Sequence, residues 1–167
     1  MQNTFRSHSS ADCYQIYTDG GYFEKQDIGG WGFVIFKNGQ EFIQNSGSQK
    51  QTSSLEMELI AAKKALETLQ EFAQEIETYS VTLYTDSRIL IEGLTEKYTT
   101  WCNNQWRVKS GKTVVYKEHW QHLSNLSLQQ QVELCWVKGH NGNHGNTLAD
   151  SLARQAVLNK QRQNQVL

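Results

Sequence analysis

The chain of 167 residues contains no proline. Average usage of about 5% would give roughly eight, so its turns rest on glycine, asparagine, aspartate and serine. Cysteine is scarce. Cys13, Cys102 and Cys135 are odd in number, far apart and without CxxC or Cys/His metal spacing. That argues against a disulfide framework and structural zinc, and it fits a reducing cytosol. No long apolar run exists. Trp31–Phe36 is the longest near-continuous stretch, far too short to span a bilayer. The opening residues, MQNTFRSHSSADC, lack the apolar centre of a secretory signal. A cytoplasmic protein with no membrane partner is expected. An excess of one charge is missing too: 16 Lys+Arg face 17 Asp+Glu, a net of −1, which rules out a globally basic nucleic-acid coat.

What is present suffices for one core. Apolar residues make up 38% and aromatics 11%, which excludes wholesale disorder, and the length suits a single domain. The charge balance hides an asymmetry. Residues 1–96 hold 7 basic and 14 acidic side chains, a net of −7, and residues 97–167 hold 9 and 3, a net of +6. Such segregation can mark a polyanion partner, or it can be no more than solvated charge.

Periodicity divides the chain into a polar extension (1–12), one domain (13–158) and a polar, mobile tail (159–167). Tyr14–Thr18 alternates as a strand. A loop holding Gly20, Gly21, Gly29 and Gly30 precedes a second strand, Trp31–Phe36. Asn38-Gly39 signals a two-residue hairpin into a third strand, Glu41–Asn45. Ser53 with Glu56 has the form of a capping box. Leu55, Leu59, Ala62, Leu66, Leu69, Ala73 and Ile76 then form one helical stripe. Val81–Thr85 is a fourth strand, Arg88–Leu94 a short helix and Lys117–Leu126 another. Val132–Lys138 is the fifth strand, and Thr147–Leu158 closes the domain as a helix. The order βββαβααβα predicts an α/β fold, a five-stranded mixed sheet flanked by helices.

Two strands end alike, in Tyr17-Thr18-Asp19 and Tyr84-Thr85-Asp86. If these strands are parallel neighbours, about 4.8 Å apart, both carboxylates emerge at their carboxyl ends, where open α/β sheets place ligands. Two carboxylates so close need a shared proton or a cation. Either aspartate also suits a turn or a helix N-cap. Glu58 follows in the second turn of the long helix, where it also favours the helix N-terminus. Asp150 lies between Leu148 and Leu152, beside a core-facing row, a costly place for an unpaired charge. Four such acids suit a hard cation such as Mg²⁺, and two ions about 3.5–4 Å apart can clamp the attacking and leaving oxygens of a phosphodiester.

At these residues the chain resembles ribonuclease H of type 1, the bacterial single-domain kind. The likeness runs from about Gln15 to Val157 in four ordered blocks: IYTDGG, MELIAA, LYTDS and WVKGHNG…N…LADSLAR. It implies an endoribonuclease cutting the RNA strand of an RNA–DNA hybrid with two Mg²⁺ ions, Mn²⁺ being a substitute, and working as a monomer. Asp19 would bridge both ions, and Glu58 and Asp86 would complete the leaving-group side. Asp150 would serve the side of the attacking water, and His140 would assist proton transfer or product departure. His144 fits that block position less well. Ser53 matches the family's phosphate-pocket threonine. Ser54 and Leu55 match polar minor-groove positions, Leu55 being a departure because it cannot hydrogen-bond. Between Lys97 and Lys117 lie five basic residues and no acid, with Trp101 and Trp106 among them. Basic side chains neutralise phosphates, and tryptophan packs on sugars. The segment resembles a shortened form of the family's basic handle, so Trp101, Asn104, Trp106, Lys109 and Lys112, with Asn146, become candidate substrate contacts. Solvated lysines with tryptophans anchored in the core are the plainer alternative. For the whole chain the rivals are a non-catalytic docking scaffold of the same fold and a related nuclease acting on DNA.

Overall fold

The computed structural model describes residues 10–139 and 141–166. In β1 (Asp12–Phe23), Tyr14, Ile16 and Thr18 are buried on one face, and Tyr17 and Asp19 point to the other. Asp19 does not end this strand. The ladder with β2 (Ile28–Lys37) is antiparallel and runs from Tyr14 opposite Lys37 to Phe23 opposite Ile28. The glycines expected in a loop therefore lie within strands. At Gly20, Gly29 and Gly30 helices press against the strands. A Cβ on Gly20 would sit 2.3 Å from the Met57 carbonyl carbon, and one on Gly30 would sit 2.2 Å from the Ala153 carbonyl oxygen.

Asn38 and Gly39 have φ of 51° and 83°, the two positive values that a tight hairpin between right-twisted strands requires. They lead into β3 (Gln40–Gln49). The Ser53 hydroxyl then accepts the Glu56 N–H at 3.1 Å and starts α1 (Ser54–Phe72). Only half of the capping box forms. The Glu56 carboxylate turns away to the Thr52 hydroxyl at 2.7 Å and to His119 Nε2 at 3.3 Å. The apolar stripe packs as expected through Leu69, with Leu59, Ala62, Leu66 and Leu69 fully buried, but the helix ends at Phe72, so Ala73 is its C-cap and Ile76 lies beyond it.

β4 (Tyr79–Thr85) returns parallel to β1. Next, α2 (Arg88–Glu92) widens into a π-helical turn (Gly93–Lys97) and continues as α3 (Tyr98–Asn103). The helical path thus outlasts the expected Leu94. The widened turn lies where Gly93 backs onto the Trp120 indole, with only 2.3 Å for a Cβ. A narrow hairpin follows, closed by a bridge between Arg107 and Thr113, and leads to α4 (Lys117–Gln129). β5 (Glu133–Trp136) joins β4 in parallel, giving the sheet order β3-β2-β1-β4-β5. The last helix, α5 (His144–Gln165), starts earlier and ends later than Thr147–Leu158. Asn143 caps it by accepting the Asn146 N–H at 3.0 Å. Its last turns, rich in lysine, arginine and glutamine and free of glycine and proline, have good helical propensity.

The core lies between the sheet and α1 with α4, filled by Tyr14, Ile16, Phe33, Leu83 and Trp120. α5 covers the opposite face, its Gly145 against the Tyr17 ring. Among the described residues no helix is long and apolar enough to cross a membrane.

Candidate active site

Strand register brings the first two carboxylates together. The parallel ladder ends with Tyr17 opposite Tyr84. Asp19 and Asp86 each lie two residues further on, so they are neighbours on one face. β1 continues past this point with β2 alone, which opens the sheet on the β4 side. Gly20 then lets α1 come close enough to deliver Glu58. One carboxylate oxygen from each of Asp19, Glu58 and Asp86 lies within 4.8 Å of the others.

The three acids strain against one another electrostatically. Burial, then the charge of Asp86 and the hydrogen bond and charge of Asp150, push the Asp19 carboxyl up to about 8. The Gly20 N–H, 3.0 Å from Asp19 Oδ1, opposes that rise. Glu58 is 8% exposed. Its burial, with the charges of Asp19 and Asp86, lifts its carboxyl well above the usual range. Among the described residues Glu58 Oε2 has no hydrogen-bond partner. A buried, unsatisfied carboxylate oxygen is costly. A hard divalent cation would satisfy it and relieve the repulsion, so the donor set fits such an ion.

Asp150 reaches the same cavity from α5, together with Ser54, Tyr22, Phe23 and Arg154. Arg154 Nε donates to both Asp150 oxygens at 3.0 Å. This neutralising partner is one the sequence reading missed, although the i, i+4 spacing is a readable signal for it. His140 lies outside the described residues. Its neighbour Gly139 packs so tightly on Asp86 that a Cβ would stand 2.6 Å from Asp86 Oδ2. His144 is elsewhere, 3.7 Å from the Glu41 carboxylate and edge-on to Phe36.

The remaining candidates divide between the cavity and the core. The Ser54 hydroxyl accepts the Tyr22 N–H at 3.2 Å beside the carboxylates. Ser53 shares a 2.7 Å hydrogen bond with the Tyr116 hydroxyl, a partner 63 residues away with no sequence signal. Leu55 is half-buried against the core, which accounts for an aliphatic residue there. Trp106 is 6% exposed and packs with Tyr98 and Trp101, and Trp101 packs in turn on Trp120. Asn104 and Lys109 line an open depression with Arg107, and Lys112 is exposed on the same hairpin. Asn146 is buried, and its Oδ1 has no partner among the described residues.

The sequence profile of the family described as RNase H matches residues 11–158. The ribonuclease H of Francisella philomiragia subsp. philomiragia is 39% identical over 141 residues, 84% of this chain and 88% of that protein. Among solved structures, LC9-RNase H1, described as a type 1 RNase H with the type 2 active-site motif, matches with a TM-score of 0.74. The identity is 24%, over 89% of this chain and 73% of that one. LC11-RNase H1, solved in complex with an RNA/DNA hybrid, matches with a TM-score of 0.67 at 21% identity, over 88% and 98%. At these identities the structures speak for a shared fold.

Proposed function

Because the chain belongs to the ribonuclease H family, we propose that it is a metal-dependent endoribonuclease acting on RNA–DNA hybrids. It hydrolyses the RNA strand and leaves 5′-phosphate and 3′-hydroxyl ends. The supporting observation is the cluster of Asp19, Glu58 and Asp86, one oxygen of each lying within 4.8 Å of the others, just past the end of the parallel β1–β4 ladder. These three, with Asp150, would hold Mg²⁺. Bound there, two ions would neutralise charge at the scissile phosphate and activate the attacking and leaving oxygens.

The protein's own groups do the positioning. Asp19 is fixed by the Gly20 N–H, and Asp150 is held ready by Arg154. His140, the residue after Gly139, would move a proton near the reacting phosphate, a role suited to an imidazole near neutral pH. Ser53 and Ser54 at the start of α1, with Asn104, Lys109 and Lys112, would meet the hybrid, whereas Asn146 is buried and would not. The 2′-hydroxyl would identify its RNA strand. Trp101 and Trp106 would support the basic hairpin from beneath.

One gel tests the reaction. End-labelled RNA, paired with DNA or with RNA, is incubated in Mg²⁺ or in chelator. Cutting of the hybrid alone, and only with Mg²⁺, is expected. Binding without cutting would make the protein a docking scaffold instead. The hairpin has its own test. Lys109→Ala with Lys112→Ala should raise KM severalfold and flatten the dependence of hybrid affinity on salt by up to about 1.8 in log–log slope, because two fewer counterions are released. An unchanged slope would remove both lysines from the interface.

A further inference from the structure

The carboxylate of Asp86 belongs to the site, but its backbone lies beyond the sheet. β4 stops at Thr85, opposite Trp136, and the last ladder bond nearby is the Val137 N–H to the Thr85 carbonyl at 2.9 Å. Strand pairing thus holds the Thr85–Asp86 peptide, and the Ser87 N–H donates to Thr85 Oγ1 at 3.1 Å, but the ladder does not extend to the Asp86 carbonyl. A side chain reaches it instead. Trp136 Nε1–H donates to the Asp86 carbonyl at 3.2 Å. The indole is held in turn by Arg88, whose guanidinium carbon lies 4.3 Å from the ring centroid, within cation–π range. Trp136 is 42% exposed, so burial does not account for a tryptophan here. The three residues form a closed frame in which Arg88, two residues past Asp86, stacks on the ring that fixes Asp86.

We propose that Trp136 is a positioning residue for Asp86: its indole N–H fixes the peptide at the end of β4 so that the Asp86 carboxylate faces Asp19 and Glu58. The inference rests on the reading of these acids as a cation site. Its worth is that of one hydrogen bond to a positioned group, about three- to tenfold in an equilibrium or rate.

The test uses the full chain labelled with nitrogen-15. Five tryptophans give five indole N–H resonances, and the one absent in Trp136→Phe is that of Trp136. In the native protein this resonance should move on addition of Mg²⁺. Trp136→Phe should bind Mg²⁺ about three- to tenfold more weakly and lose kcat by a similar factor, with KM unchanged. Its Tm should lie within about 4 °C of the native value. Native Mg²⁺ affinity and kcat in Trp136→Phe, or an indole resonance indifferent to Mg²⁺ while the Asp19 and Glu58 amides respond, would overturn this inference alone. Silence of all these signals would overturn the cation reading and this inference with it. Should the variant misfold, the native indole response decides.

Discussion

Asp19→Asn is expected to lower Mg²⁺-dependent cleavage of an RNA–DNA hybrid by about a thousandfold or more while leaving the fold intact. Asp19 is the shared neighbour in the site, because Asp86 and Asp150 act on its carboxyl and its own charge acts on Glu58. A cation at such a centre contributes several kcal/mol to transition-state stabilisation, and about 4 kcal/mol is three orders of magnitude in rate. Asparagine has the same shape. Its Oδ1 can keep the Gly20 N–H bond of 3.0 Å, and its amide can donate to a neighbouring carboxylate. Metal-free stability should therefore hold or rise, since one of the mutually repelling acids is gone. Single-turnover cleavage and metal-free thermal unfolding measure the two effects. A rate within about tenfold of the parent would remove Asp19 from the reaction. A large fall in Tm would turn the lost activity into a folding defect.

The site was legible in the sequence where repetition made it so. The YTD string in two strands announced Asp19 and Asp86 as a pair, and the register that seats them together follows from a parallel crossover through α1. Glu58 was legible from helix phase, but its closeness was not. That depends on Gly20, read as a loop residue and found inside a strand, where the missing Cβ admits the backbone of α1. The ends of β1 and β2 were underestimated because glycine normally weakens strands, whereas Gly20 and Gly30 mark helix contacts. The end of α5 was missed for the opposite reason: a polar composition looked like a tail although nothing in it breaks a helix. Partners distant in sequence, such as Ser53 with Tyr116 and Trp136 with Asp86, carry no local signal and emerge only from packing.

The same crowding predicts how stability depends on pH and Mg²⁺. Burial and the neighbouring carboxylates push Asp19 up to about 8 in the folded chain, against about 3.9 for a free aspartate, and Glu58 is shifted upward as well. Between these limits the folded protein binds more protons than the unfolded one, so stability falls as pH rises. Without metal, Tm should decline steadily from about pH 5 to about pH 8. Asp19→Asn should flatten that decline. Mg²⁺ should act in the opposite sense, because it binds the deprotonated carboxylates: its stabilisation should be small at the acidic end and grow with pH. At a free-ion concentration about a hundred times Kd the gain is about 2.7 kcal/mol. For a chain of this size that is roughly 5–10 °C in Tm. Thermal unfolding across this pH range, with Mg²⁺ and with chelator, reads both slopes. A metal-free Tm that rises toward pH 8, or a Mg²⁺ effect independent of pH, would mean that Asp19 and Glu58 are not the groups that exchange protons for the ion.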